Sequence, residues 1–327
     1  MLLSRILITT AFTLLSALPA HAEKVRSAIP RAGLNYASVY VAEAKGFFKD
    51  EGLDNETIVI AGPPAIAALI SGEVDFSGAG GSGMRAAVKG APFKAVMFQT
   101  ERVSWYIIAH PSIAKVADLK GKRLGIGSLG DSQDRLATQF FERGGVAAKD
   151  ITRVAMATDA SARILGIKSG SIHAAVADPG LVVIAEREGL KVLGFLGDMF
   201  ALPFQGWGVT DKKLSDNPNQ VKRWMRAIIR GLMFLRERPD ESADISMKRL
   251  QLGNITKPMV INGLQRFVRA MPDGVPGLPT AEGIKNVIEY EVRIPMQIDT
   301  PIAAEKLLDL SLVAEVKKAL EARGASK

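Results

Sequence analysis

One pattern is written twice in this chain of 327 residues, and no other feature restricts its fold as much. With an offset of 98, the distance from Ile66 to Ile164, Ile66-Ala-Ala-Leu-Ile-Ser-Gly-Glu-Val-Asp75 lies over Ile164-Leu-Gly-Ile-Lys-Ser-Gly-Ser-Ile-His173. Each copy reads as a helix stopped by glycine and followed by a short apolar strand, because glycine takes the left-handed conformation that ends a helix. Upstream, residues 46–53 are echoed by 139–146, and the strand 25–29 by 123–126. Each half therefore reads strand, loop, helix, strand, loop, helix, strand, which is a parallel α/β unit. With 47% hydrophobic and 23% charged residues the chain is globular, and it is too long for one small core. Two α/β lobes are expected.

The lobes are expected to exchange chain at two β-rich crossovers. One is 103–111, where Trp105-Tyr-Ile-Ile-Ala109 has no helix before it, and the other is Gly206-Trp-Gly-Val-Thr210. That divides the chain into a first lobe of 23–108 with 210–327 and a second lobe of 109–209. Beyond the second crossover the spacing predicts helices over 219–238, 240–250, 258–271, 280–290 and 303–323. A helical block without a sheet must pack on an existing lobe, and the first is expected. A ligand cleft then lies between the lobes.

Residues 1–22 have the three parts of an export signal: an early Arg5, an apolar run over 6–18, and Ala20-His21-Ala22 with small residues at the −3 and −1 positions. The run is roughly 13 residues, short of the roughly 20 that cross a bilayer as a helix. Cleavage after Ala22 and a soluble periplasmic protein are expected, with no lipid anchor because no cysteine follows. The net charge of +8 would suit nucleic acid, acidic lipid or anionic ligands, and export argues against nucleic acid. The densest basic stretch, Lys222, Arg223, Arg226, Arg230, Arg236 and Arg238, shares a predicted helix with apolar residues at helical spacing. It reads as a solvated face over a buried stripe or as a helix lying on a membrane surface.

The absence of cysteine excludes disulfides, thiolate nucleophiles and cysteine-ligated metals. The three histidines, His21, His110 and His173, never take a metal-binding spacing. No metal, cofactor or catalytic residue is expected, and no G-x-S-x-G elbow supports a nucleophile. Two loops, Gly78 to Gly83 and Gly125 to Gly130, fit G-x-G-x-x-G, a weak signal among 31 glycines. A dinucleotide site needs an acid closing the next strand about 20 residues on, and Asp150 opens that strand instead.

What these loops offer is backbone N–H groups at helix N-termini, where negative charge is favoured. The candidate ligand-binding residues lie at such places. Asn35 and Tyr36 follow the first strand, Gly62 and Pro63 the second, and Gly81 and Ser82 the third. In the second half Ser128, Gly130, Asp131 and Ser132 follow one strand and Asp178 another, while Gln205 and Trp207 sit at the second crossover. Each has an ordinary alternative. The serines serve equally as helix caps, Tyr36 and Trp207 as core aromatics, Asp178 as the cap of a helix from Pro179, and Arg85 and Arg102 as exposed charges.

The run Ala114-Lys-Val-Ala-Asp-Leu-Lys-Gly-Lys-Arg-Leu-Gly-Ile-Gly-Ser128, with AEAKGFFKDEGL at 42–53 and LISGEVDF at 69–76, resembles the nitrate/sulfonate/taurine branch of ABC-transporter substrate-binding proteins, grouped with the thiamine-pyrimidine-synthase-like proteins. The resemblance covers nearly the whole chain after residue 22. It implies a type II periplasmic-binding-protein-like fold, two α/β lobes joined by two crossover strands with a helical C-terminal block. It also implies a monomer that closes by a hinge and delivers its solute to an inner-membrane ABC permease. The family's ligand loops map onto 35–37, Gly62-Pro63, Gly81-Ser82, 128–132 and Asp178, and Gly130-Asp131-Ser132-Gln133 departs from the Gly-Ser-x-x pattern frequent there. The expected function is capture of a small anionic organic solute, a sulfonate or carboxylate. The alternatives are a periplasmic ligand sensor and a pyrimidine-synthase-like enzyme of the same fold.

Overall fold

Among the described residues ten strands build two sheets that follow the same path. The structure, a computed structural model, describes residues 22–130, 132–156, 160–252 and 255–324. The expected export signal lies outside the described residues except for Ala22. In chain order the strands are β1 (Glu23–Ile29), β2 (Leu53–Val59), β3 (Phe76–Ser77), β4 (Phe93–Thr100), β5 (Tyr106–Ala109), β6 (Arg123–Ile126), β7 (Thr152–Ala155), β8 (Ala174–Ala177), β9 (Lys191–Phe195) and β10 (Phe204–Thr210). They pair in the orders β2-β1-β3-β10-β4 and β7-β6-β8-β5-β9. In each sheet the fourth position is an antiparallel strand, β10 in the first and β5 in the second. The offset of 98 persists beyond the segments that announced it, since β3 begins at Phe76 and β8 at Ala174, and β4 at Phe93 and β9 at Lys191.

The crossovers fall earlier than the sequence suggested. Residues 106–109, expected to connect the lobes, form β5 inside the second sheet, and 206–210 belong to β10 inside the first. The chain passes between sheets at 101–105 and again at 196–203. The physical reason is burial: every residue of Tyr106–Ala109 is shielded on both faces and paired on both edges, which is how a central strand stays dry.

The first lobe carries α1 (Ala37–Ala44), α2 (Phe47–Asp50), α3 (Gly62–Ser71) and α4 (Gly80–Val88). The second carries α5 (Ser132–Arg143), α6 (Ala160–Lys168) and α7 (Pro179–Arg187). The C-terminal block comprises α8 (Asp211–Asp216), α9 (Pro218–Glu237), α10 (Pro239–Leu250), α11 (Lys257–Val268), α12 (Ala281–Ile288), a π-helical turn (Glu289–Arg293) and a terminal helix (Ser311–Gly324). The helix expected over 303–323 is interrupted. Leu308 bridges to Ala95 of β4, and Asp309 accepts the Ser311 N–H at 3.0 Å, restarting the helix there.

In α9 the stripe of Val221, Trp224, Met225, Ile228, Leu232 and Leu235 is sealed in the first lobe's core. Full burial of such side chains is worth about 1.5–3 kcal/mol each. Its basic face is paired within the protein: Arg223 with Glu23, Arg226 with Glu51, Arg230 with Asp50, Lys222 with Glu315, and Arg236 with the carbonyls of Pro272 and Gly274. These charges are the solvated face of a core helix. Among the described residues no helix is long and apolar enough to cross a membrane.

The block does not keep to the first lobe. While α9 and α10 pack on α1, α11 lies against α7 of the second lobe. There the Tyr106 hydroxyl donates to the Arg266 carbonyl at 3.0 Å, and Arg269 pairs with Asp198 at 2.7 Å. On another face the π turn is gripped from both lobes. Arg85 of α4 donates to the Glu291 carbonyl at 2.8 Å, and Arg135 of α5 to the Tyr290 carbonyl at 2.6 Å. π turns recur at functional places in helices.

Candidate functional site

Ligands of open α/β sheets sit beyond the carboxyl ends of parallel strands, and a cleft of about 280 Å³ lies there in the first lobe. Its walls come from the loop after β1, the start of α3, the first turn and a half of α4, the second crossover and the π turn. Small-molecule sites are clefts of this kind, concave and formed where a few convergent polar groups meet an apolar wall.

Two helices open into this space without side-chain caps. Ala61 precedes α3 and Ala79 precedes α4, so neither helix start receives a side-chain acceptor. α4 therefore turns the N–H groups of its first turn to this region, whereas α3, with Pro63 and Pro64 in its first turn, offers only the Gly62 N–H, and each adds the positive end of its dipole. Gly80 is required by packing, because a Cβ there would stand 2.5 Å from the Gly206 carbonyl oxygen of β10. Gly78 is close to the Tyr36 ring, and Gly125, in the other glycine loop, is filled against Ile172 and Met156. Several glycines of the two G-x-G-x-x-G matches thus serve close packing.

The charges on the wall are Arg31, Arg85 and Glu291. Arg31 reaches across to the second lobe and pairs with Asp178 at 2.9 Å, while Arg85 lies 3.7 Å from the Glu291 carboxylate. Asn35 and Gln205 are buried on the wall, and Asn35 Oδ1 and Gln205 Oε1 have no hydrogen-bond partner. Gln205 has φ of 54°, a left-handed backbone that side chains avoid, so the surrounding strand must hold it there.

Of the residues singled out from sequence, Asn35, Tyr36, Gly62, Gly81 and Ser82 line the cleft together. Tyr36 does so as a core residue: its hydroxyl donates to the Gly78 carbonyl at 3.2 Å, and burial pushes the phenol well above its ordinary pKa, keeping it a neutral donor. Trp207 does not line the cleft. It is fully buried on the other side of β10, 5.9 Å edge-on from Tyr36 and 4.8 Å from Trp224, which stacks on Phe76 at 4.1 Å. The strand departs from regular pleating at Gln205 and again shifts register between Trp207 and Gly208, so counting alternate residues misplaces the indole. Pro63 is exposed at the start of α3.

The second lobe's candidates are engaged within their own lobe or with Arg31. The Gly130 N–H donates to Asp134 at 2.8 Å, Ser132 opens α5 and accepts from Arg135 at 3.2 Å, and Ser128 also has an interaction partner. Asp131 lies outside the described residues. Asp178 caps α7, accepting the Leu181 N–H at 2.9 Å, and gives its other oxygen to Arg31. None of Ser128, Gly130, Ser132 and Asp178 is among the described lining of the cleft.

Sequence reasoning missed Arg31 and Glu291. Arg31 follows Pro30 directly after β1, a position at a strand's carboxyl end that could have drawn attention. Glu291 meets Arg85 across 206 residues, and nothing local in the chain signals that. The histidines lie elsewhere: His110 follows antiparallel β5 and His173 precedes β8, at the opposite end of the second sheet from its strand-to-helix loops. His173 Nδ1 accepts the Arg123 N–H at 3.3 Å, and burial, then the charges of Lys122 and Arg123 and the neighbouring His110, lower its pKa. Among the described residues no cluster of metal-ligating side chains occurs.

Two α/β sheets exchanging one strand each, with a cleft at the strand ends and a helical C-terminal block, define the periplasmic-binding-protein-like class. The sequence pattern of the NMT1/THI5-like family matches residues 34–242, and the chain belongs to that family. It is similar to the riboflavin-binding protein RibY of Chloroflexus aurantiacus, 28% identical over 239 residues that cover 68% of this chain and 66% of RibY, just under two thirds of it. It is 25% identical over 230 residues to the 4-amino-5-hydroxymethyl-2-methylpyrimidine phosphate synthase of Candida albicans, covering 62% of this chain and 64% of the synthase. In fold it is similar to the periplasmic aliphatic sulphonate binding protein SsuA of Escherichia coli, with a TM-score of 0.70, 14% identity and coverage of 88% of this chain and 92% of SsuA.

Proposed function

We propose that this chain is the periplasmic solute-binding component of an ABC importer, exported by its first 22 residues, and that it captures a small organic acid by closing its two lobes. The observation that carries this is the cleft itself. The uncapped start of α4, the Gly62 N–H at the start of α3 and the guanidinium groups of Arg31 and Arg85, which also pair with Asp178 and Glu291, converge on one small space at the carboxyl ends of parallel strands. Neither His110 nor His173 lines that space, which favours binding over histidine-based acid–base chemistry. The membrane permease is the partner this reading requires, and a monomer suffices for it.

A thermal-shift panel of sulfonates, carboxylates, phosphonates, amines and pyrimidines tests the proposal. A ligand at 100 times its dissociation constant adds about 2.7 kcal/mol of stability. Small-angle scattering with a binding member should show compaction as 101–105 and 196–203 flex. Stabilisation by none of the panel, or turnover of a pyrimidine precursor by the purified protein, would count against solute capture.

A further inference from the structure

The C-terminal block is tied to the second lobe in two places, and the ties are of unequal kind. On one face α11 is packed on α7 and pinned by charge and ring contacts: Arg266 pairs with Glu186 at 2.5 Å and lies over the Tyr106 ring, and Arg269 pairs with Asp198 and lies over Phe195. On the other face the π turn packs on α4 of the first lobe, with Val292 fully buried. The second lobe reaches that turn through side chains. Arg135 of α5 donates to the Tyr290 carbonyl and Gln139 Nε2 to the Tyr290 hydroxyl at 3.4 Å, while the Tyr290 ring stacks on Phe200 at 5.0 Å. Phe200 lies in the crossover 196–203, which must flex when the lobes move. Arg135 also donates to the Gly130 carbonyl and to Ser132 Oγ. One planar fork with five N–H donors thus joins the loop after β6, the start of α5 and the C-terminal block, a sharing that the point charge of a lysine does not fix in geometry. Water replaces such hydrogen bonds at small net cost, so this grip parts before the packed surfaces do.

We propose that Arg135 is the latch between the lobes: a positioning residue that holds the π turn, and with it the cleft wall at Glu291, against the second lobe, and whose release lets the lobes part there while α11 stays seated on α7. This rests on the reading that the lobes close around a solute. The tie itself is made by the chain's own atoms, so it biases the lobes toward the arrangement seen here whatever the solute is. Such a bias acts on every solute alike, because it changes the population of the binding-competent form and leaves the contacts within it unaltered.

The sequence has no cysteine, so a pair of spin labels can be introduced without removing any native thiol. Ala67→Cys on α3 and Leu165→Cys on α6, both exposed and equivalent in the repeat, put one label on each lobe, and double electron–electron resonance on the purified protein without solute reads the distance between them. The expected result is that Arg135→Met raises the ratio of longer to shorter distances about tenfold, the worth of one hydrogen bond from a charged group. Arg135→Lys keeps the charge and loses the fork, and should shift the ratio in the same direction by less. Glu186→Gln, which removes the partner of Arg266 on the α11 face, should leave the ratio within about twofold. Circular dichroism and urea midpoints check that each variant folds; a merely structural role for Arg135 would lower the midpoint and leave the distances alone. An unchanged ratio in folded Arg135→Met or, should that variant not fold, in Arg135→Lys, overturns the proposal, and so does an equal shift in Glu186→Gln. Solute capture stands in each of those cases, since no solute enters the measurement. A thermal-shift panel in which nothing binds removes solute capture and leaves the latch to be decided by the distances.

Discussion

The two lobes repeat one scaffold and finish their helix starts in opposite ways. In the first lobe α4 follows β3 with Ala79 at the cap position, which offers no capping side chain, and the Glu291 carboxylate from the C-terminal block stands beside Gly81 of its first turn. In the second, α7 follows β8 with Asp178 there, accepting the Leu181 N–H. Elsewhere in the second lobe the Gly130 N–H, just before α5, is taken by Asp134, whereas α3 of the first lobe starts at Gly62 with no capping side chain. A duplicated fold leaves the same cradles in both halves, and the residue at the cap position decides whether a cradle is closed locally, as by Asp178, or left to a residue from elsewhere in the chain, as at Gly81 beside Glu291.

The largest test of this contrast is steric. Gly80→Ala drives a methyl to 2.5 Å from a backbone oxygen of β10, so urea unfolding should show a loss of about 1–3 kcal/mol, with weakened solute binding. Gly180→Ala, in the first turn of α7, meets only Asp178 Oδ1 at 3.3 Å and should stay within about 0.5 kcal/mol of wild type. If both cost the same, the two helix starts do not differ in the way described. Smaller in effect, Asp178→Ala should cost about 1 kcal/mol through the lost cap, while Asp178→Asn keeps the cap and removes the charge that faces Arg31. Binding of an acid should then be equal or tighter in Asp178→Asn, and a clear loss in calorimetry would mean that the carboxylate itself holds the solute.

The smallest effect lies at the far ends of the sheets. In the first lobe the Asp75 carboxylate accepts the Arg26 N–H at 2.9 Å, and in the second His173 Nδ1 accepts the equivalent Arg123 N–H at 3.3 Å. Imidazole does this only when neutral. With its folded pKa below the unfolded value of about 6.5, His173 adds stability that is complete above that pH and is lost as pH falls through the folded value. One net hydrogen bond is at stake, about 0.5–1.5 kcal/mol. Urea midpoints between pH 7.5 and 5 should fall in wild type more steeply than in His173→Asn, and parallel slopes would remove His173 from the account.

Local periodicity and the repeat made much of this legible. The offset of 98 predicted both sheets, and the stripe on α9 predicted a core helix that begins and ends within a residue of expectation. The loops that carry Asn35, Tyr36, Gly62, Gly81 and Ser82 were found because strand ends can be located from apolar runs. What stayed hidden depends on distant partners. Trp207 turned inward because β10 departs from its pleat at Gln205, and Asp178 acquired a salt bridge from a residue in the other lobe. Glu291 entered the cleft from the C-terminal block, which spans both lobes where a return to the first alone was expected.

That spanning block changes the mechanics of the molecule. Two lobes on two tethers would be an open linkage, free to swing and twist. Here α11 against α7, and the π turn held by Arg85 and Arg135, add a third body that touches both plates and closes the linkage into a loop. A closed loop permits fewer independent motions, so one lobe cannot rotate over the other without the π turn sliding or its carbonyl grips letting go. Because Glu291 rides on that turn, any rotation of the plates that carries the turn with it also moves a carboxylate on the wall of the cleft.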